Sequence, residues 1–147
     1  MGAEKAAKPP RRRVVFICVG NSCRSQFAEA FARKIAPDVI DPSSAGLSPF
    51  GRIAEPTISV GAEFGLSFDG QSSKGFRPED LARADLIVNM TGIDSPGLFE
   101  TTRPVVDWNV ADPFGEDPAV YRRIAAEIEA RVLLLAAEIR SAASEAI

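Results

Sequence analysis

The chain alternates short apolar runs with stretches in which apolar residues recur every three or four positions. Val14-Val15-Phe16-Ile17-Cys18 is a continuous apolar run and reads as a strand buried on both faces. A polar loop containing Gly20 follows, and from Arg24 onward Phe27, Phe31 and Ile35 repeat at helical spacing. Val39-Ile40 opens a weaker second strand, interrupted by Pro42 and so placed at a sheet edge. Pro56 marks the first turn of a helix with Ile58, Ala62 and Phe64 as its apolar positions and Gly65 as its stop. Pro78 starts another, with acids in its first turn. Asp85 to Met90 is the third strand, Ser95 to Phe99 a brief turn, and Pro104 to Trp108 a fourth strand that opens with proline and belongs at an edge. After Asp117-Pro118, an N-cap followed by proline, Tyr121, Ile124, Ile128, Val132, Leu135 and Ile139 step by three and four along one long helix that covers the sheet. Strands alternating with helices predict an α/β chain folded as a parallel three-layer α/β/α sandwich.

Composition narrows the field. The 147 residues fit one domain, and 46% hydrophobic with 25% charged residues is ordinary globular content. No stretch approaches the roughly 20 apolar residues of a membrane span, and the N-terminus lacks a signal-peptide core. Two cysteines five apart are no disulfide framework, so a cytoplasmic location is expected. With no histidine, Ser-His-Asp and Cys-His catalysis are excluded and no metal site is expected. Residues 1–12 read as a disordered basic leader and 13–147 as the functional domain. Lys5, Lys8, Arg11, Arg12 and Arg13 against Glu4 put +4 at the start, while the other 12 basic and 19 acidic residues leave −7. Such a body is no nucleic-acid ligand.

The chemistry gathers where the first strand meets the first helix. Loop amides and a helix N-terminus aimed at one spot form a nest for an anion. A cysteine at the strand's end stands in the same field, which favours its thiolate. Arg24 brings a planar fork of donors matched to phosphate or arsenate oxygens. Cys18 and Arg24, with five residues between them on a strand–loop–helix frame, therefore form a unit suited to covalent phosphoryl or arsenyl transfer.

Cys18-Val19-Gly20-Asn21-Ser22-Cys23-Arg24-Ser25 resembles the signature loop of the low-molecular-weight protein tyrosine phosphatase superfamily, which also contains arsenate reductases of the same fold. The resemblance runs from about Val14 into the last helix. It implies a phosphotyrosine protein phosphatase I-like fold whose four-stranded parallel sheet has the order 2-1-3-4, with the first strand at the switch point where such sheets place ligands. It implies Cys18 as nucleophile, Arg24 as oxyanion clamp, and Val19, Gly20, Asn21, Ser22, Cys23 and Ser25 as the substrate-binding loop. Asn21 and Ser25 would hold that loop and favour the thiolate, and Ser44 would bond Asn21. Asp112, in Asp112-Pro113, is by itself a turn starter; the resemblance makes it the general acid. Its rivals are Asp117, better explained as a cap, and Asp107, within a strand.

Two branches share this cradle. Gln26, where phosphatases carry proline, points toward the arsenate reductases. The multi-cysteine thioredoxin relay of the family needs two further cysteines, and Val88 to Asp94 has none; an arsenate reductase of this fold would use an external small thiol or thioredoxin. Phe50 and Phe114 occupy the places of the aromatics that sandwich a phosphotyrosine ring, so the sequence favours hydrolysis of phosphotyrosine proteins or small aryl phosphates through phosphocysteine, without metal or cofactor. A phosphate-binding module without turnover is the third reading, with phosphate or arsenate as the bound anion in every case. Cys23 is either filler beneath the loop or the partner of Cys18 in a protective disulfide.

Overall fold

The computed structural model describes residues 10–145, so residues 1–9 of the expected leader and the last two residues of the chain lie outside the described residues. Arg12, expected in that leader, instead opens β1. The elements run β1 (Arg12–Cys18), α1 (Arg24–Ile35), β2 (Ile40–Gly46), α2 (Glu55–Glu63), α3 (Pro78–Arg83), β3 (Leu86–Asn89), β4 (Val105–Asp107) and α4 (Pro118–Glu145). The sheet is parallel throughout, in the order β2-β1-β3-β4.

The apolar run of β1 has a double reason. Val14, Phe16 and Cys18 point into the larger core layer, where Phe27 and Phe31 of α1 meet Tyr121, Ile124, Ile128 and Val132 of α4. Val15 and Ile17 point the other way, onto Leu81 of α3, Ala84 just after it, Ile87 and Phe99. A strand covered on both faces has no polar face to alternate with. The long helix buries most of the residues its spacing predicts: Tyr121, Ile124, Ile128 and Val132 are inaccessible and Leu135 is buried, while Ile139 is half-buried.

Two details depart from the sequence reading. Pro42 does not interrupt β2: it pairs with Val14 inside the strand, tolerated because an edge strand bonds on one side only. In α2 the inward residues are Thr57, Val60 and Gly61, while Ile58 and Ala62 face solvent and Phe64 is half-buried. The cause is local. Thr57 Oγ1 donates to the Ser22 carbonyl at 2.9 Å, and the Phe68 ring occupies the space where a side chain at residue 61 would stand. Anchoring to the loop after β1 sets the rotation of this helix, and its apolar spacing does not. Among the described residues no helix is long and apolar enough to cross a membrane.

Candidate active site

The loop between β1 and α1 is held from outside through its carbonyls. Leu47, Ser48, Phe50 and Ala54 donate their N–H groups to the carbonyls of Cys18, Val19, Gly20 and Ser22, at 3.0, 2.8, 2.8 and 3.1 Å. The Asn21 carbonyl accepts from Gln26 Nε2 at 3.0 Å. With the carbonyls turned outward, the amides of Gly20, Ser22, Cys23 and Arg24 have no protein acceptor among the described residues. α1 starts without a side-chain cap and without an acid in its first turn, so its orphan N–H groups remain available to an anion.

Asn21 is the keystone of the loop. Its φ of 47° lies in the left-handed region, which asparagine tolerates better than most residues. The side chain then bonds in three directions. Nδ2 donates to Ser25 Oγ at 2.8 Å and Ser44 Oγ at 3.0 Å, while Oδ1 accepts the Lys74 N–H at 2.9 Å. The Ser44 hydroxyl donates a hydrogen bond to Glu29 Oε1 at 2.6 Å, and Arg33 donates to the other oxygen of that carboxylate at 2.9 Å. A buried network thus runs from the loop to the helix behind it. The Cys18 sulfur sits at its near end, receiving the Asn21 N–H at 3.2 Å and lying 2.9 Å from Ser25 Oγ. Cys18 is 2% exposed overall, yet it forms the floor of a cavity of about 190 Å³.

Arg24 closes one side of that cavity. Its guanidinium is buried, with Nη1 donating to the Met90 carbonyl at 2.7 Å and the Val110 carbonyl at 3.3 Å. Nη2 lies 3.5 Å from Asp112 Oδ2. Nε is buried and has no partner among the described residues, a donor left over for a ligand oxygen. Asp112 is half exposed at the rim, its Oδ1 fixed by the Phe114 N–H at 3.0 Å. Phe50 and Phe114 frame the mouth with their rings edge to face, centroids 5.0 Å apart. Val19, Gly20, Ser22 and Cys23 line the cavity with them. Asn21 and Ser25 do not: both are fully buried behind the loop and reach the site only through the sulfur and the network. Asp107 lies apart, bonded to Asn89 and Ser95, and Asp117 precedes α4 and gives its carbonyl to the helix's first amides.

Cys23 is a free thiol packed 3.6 Å from the Tyr121 hydroxyl of α4. Burial, and then the bond to Cys23, push the Tyr121 phenol well above its ordinary value. Three residues that hold the site escaped the sequence reading, Glu29, Gly46 and Thr57, and Gln26 entered it only as a marker of the branch and not as a support of the loop. The available signal was in α1, where polar Gln26 and Glu29 interrupt an otherwise apolar and small-residue face. Among the described residues no cluster of three acidic or cysteine side chains converges as a metal would require.

The pattern of the family described as low molecular weight phosphotyrosine protein phosphatase matches residues 13–145. The glutaredoxin arsenate reductase of Synechocystis sp. is 31% identical over 130 residues, 87% of this chain and 98% of that protein. Arsenate reductase 1 of Bacillus cereus is 34% identical over 125 residues, 83% of this chain and 92% of its own. Among solved structures, an arsenate reductase in the phosphate binding state superposes with a TM-score of 0.75 at 32% identity, covering 87% of this chain and 98% of that one. An arginine phosphatase from Geobacillus stearothermophilus reaches 0.81 at 25% identity, covering 91% and 96%.

Proposed function

We propose, because this chain belongs to the low molecular weight phosphotyrosine protein phosphatase family, that its loop carries cysteine-dependent oxyanion chemistry and that the reaction is reduction of arsenate by an external thiol. This reverses the preference for phosphotyrosine hydrolysis drawn from the sequence. The observation that carries the reversal is the 5.0 Å contact between Phe50 and Phe114. A third ring stacked between two others needs their centres about 7 Å apart, twice a carbon–carbon contact of about 3.5 Å. Rings in edge-to-face contact leave no parallel slot of that width between them, which supports a tetrahedral oxyanion over an aryl ester as the substrate. The arsenate reductases among the relatives support the same reading.

In this reading the Cys18 thiolate, met by the Asn21 N–H and the Ser25 hydroxyl, attacks arsenic. Arg24 and the outward-free amides hold the remaining oxygens. Asp112 at the rim gives a proton to the departing hydroxide, which leaves as water. The resulting Cys18–arsenic adduct is then opened at sulfur by a thiol.

Hydrolysis of a phosphate monoester is the second reading. It is favoured by the placement of Asp112 against Arg24, where the same carboxylate would direct water onto a phosphocysteine. The arginine phosphatase among the structural neighbours supports it as well. The deciding experiment measures arsenite formed from arsenate with a thiol reductant beside release of p-nitrophenol from its phosphate ester, for the wild type and Cys18→Ser. Arsenite production lost in Cys18→Ser is the expected result. Ester hydrolysis with no arsenite from any thiol would overturn the reductase in favour of the phosphatase, and neither activity would leave an anion-binding module.

A further inference from the structure

Phe50 and Phe114 have a second side. They also wall an open groove of about 600 Å³ that runs between the first turn of α2 and the loop ahead of α4. Ile53, Pro56 and Ile58 make its walls apolar, and Ile58 is one of the side chains left facing solvent by the rotation of α2. Arg52, Glu55 and Glu116 stand along it. The Arg52 guanidinium lies 5.3 Å from the centre of the Phe50 ring and forms no ion pair among the described residues, and neither does Glu116. One cation and two carboxylates therefore share the groove with no ion pair between them among the described residues. That is the charge pattern of a receptor for a zwitterion, held on apolar walls of small-ligand size.

The proposed reaction supplies the reason for such a ligand. Taking arsenic from the pentavalent to the trivalent state needs two electrons, which two thiols provide on becoming one disulfide. The chain has two cysteines. Cys18 is the nucleophile, and Cys23 is buried against Tyr121. Cys23 also lines the cavity, but a disulfide closed between the two has to be reopened before the next turnover. Over a full cycle the two electrons therefore come from a thiol outside the chain, which reaches the Cys18 sulfur through the mouth that Phe50 and Phe114 frame.

We propose that this groove binds the reducing co-substrate, a zwitterionic peptide thiol, with a carboxylate on Arg52, its ammonium toward Glu116 and its sulfur over Cys18. The inference rests on the reductase reading. In the step it serves, the co-substrate sulfur attacks Cys18 Sγ and a sulfur–sulfur bond forms. The sulfur–arsenic bond breaks with its electron pair remaining on arsenic, which departs as arsenite carrying the thiol's proton. A second co-substrate molecule then exchanges with the mixed disulfide, freeing the Cys18 thiolate and one oxidised co-substrate dimer.

The test compares two reductants in arsenite formation, glutathione and 2-mercaptoethanol, which lacks both charges. The readout is the ratio of their kcat/KM values. In Arg52→Glu one attraction at an exposed site is lost and one repulsion gained, and the ratio falls about ten-fold. Glu116→Lys lowers it in the same direction. Arg103→Glu, exposed on the segment before β4 and outside the groove, leaves it where it was. S-methylglutathione, which cannot reduce anything, inhibits competitively against glutathione and shifts the amide resonances of Gly115 and Glu116. An unchanged ratio in Arg52→Glu with arsenite formation intact overturns the groove as the thiol site. So does turnover with a protein dithiol and none with glutathione. Failure of the reductase reading looks different: the wild type then forms no arsenite with any thiol, and the co-substrate site falls with it.

Discussion

Replacing Gly46 by alanine tests how tightly the anion loop is held from behind. Gly46 ends β2 in register with Cys18. A Cβ there would stand 2.7 Å from the Val19 carbonyl oxygen and 2.9 Å from both Cβ and N of Asn21. The two backbone atoms are committed: the Val19 oxygen accepts the Ser48 N–H at 2.8 Å, and the Asn21 N–H donates to the Cys18 sulfur at 3.2 Å. The φ of Gly46 lies outside the left-handed region, so alanine meets a contact problem and no torsional one. Overpacking of this kind costs about 1–3 kcal/mol. Alanine returns about 0.4–1 kcal/mol by restricting the unfolded chain, leaving a net loss of about 1–2 kcal/mol and a Tm lower by roughly 2–8 °C. Turnover suffers more, because relief of the clash moves the amide that meets the sulfur. A displacement of ~1 Å in such a group costs on the order of 10²-fold in rate. Thermal unfolding with and without saturating arsenate or phosphate, beside the arsenite assay, separates the two effects. The variant is expected to fold, to lose most of the anion-dependent rise in Tm and to turn over about 10²-fold more slowly. Wild-type turnover with the anion-dependent rise intact would refute the claim that this contact sets the loop.

Arg24→Lys removes the whole guanidinium, both the Nη1 that reaches Met90 and Val110 and the unpartnered Nε; turnover falls on the order of 10²–10³-fold, and phosphate no longer protects Cys18 from iodoacetamide. Asp112→Asn lowers hydrolysis of aryl phosphate by about 10²–10⁴-fold, since acid and base steps both use it. Arsenite formation loses less, because attack of a thiol on sulfur needs no base from Asp112, and equal losses in both assays contradict the division of steps. Tyr121→Phe keeps the buried ring and loses the bond to Cys23; stability drops by about 1 kcal/mol, and Cys23 in a Cys18→Ser background alkylates faster. The hydrogen bond from the Arg122 guanidinium, at 2.8 Å, holds the Glu63 carboxyl below its ordinary 4.5. A carboxyl depressed by folding stabilises the fold above its unfolded value and ceases to do so as pH falls through the folded one. The Tm difference between wild type and Arg122→Ala therefore persists at neutral pH and closes on acidification below 4.5.

Periodicity made the frame readable because each of its segments has one dominant environment. β1 is covered on both faces and reads as an unbroken apolar run; α4 packs one stripe on the sheet and reads as steps of three and four. α2 misled because its inward residues answer to something other than apolar burial. Thr57 is drawn in by the Ser22 carbonyl and Gly61 by the Phe68 ring, so Ile58 was left outside. The floor and clamp of the cavity were legible for a related reason: a sulfur and a guanidinium with five residues between them on a strand–loop–helix frame can share an anion whatever the rest of the chain does. The supporting shell was not. Nothing local to Glu29 or Gly46 announces that one ends a hydrogen-bond chain from Asn21 and the other leaves room for the Val19 carbonyl, because both facts depend on β2 lying beside β1.

The aromatic pair carries this one step further. Phe50 and Phe114 are separated by 64 positions, and their residue types alone permit a parallel slot or a closed edge-to-face contact. The first holds an aryl phosphate and the second does not, so two reactions hang on a geometry that residue identity leaves open. The loop cannot settle them, since attack of Cys18 on a tetrahedral oxyanion held by Arg24 is common to both. They part only after the sulfur is bonded. Hydrolysis then needs a base aimed at the phosphorus, while reduction needs a thiol delivered to the sulfur. Asp112 stands at the rim, where the proposed hydrolysis would use it, and the groove beyond Phe50 and Phe114 has the room and the unpaired charge that the proposed thiol would use. What surrounds the mouth, and not the cradle itself, is where this fold distinguishes one reaction from the other.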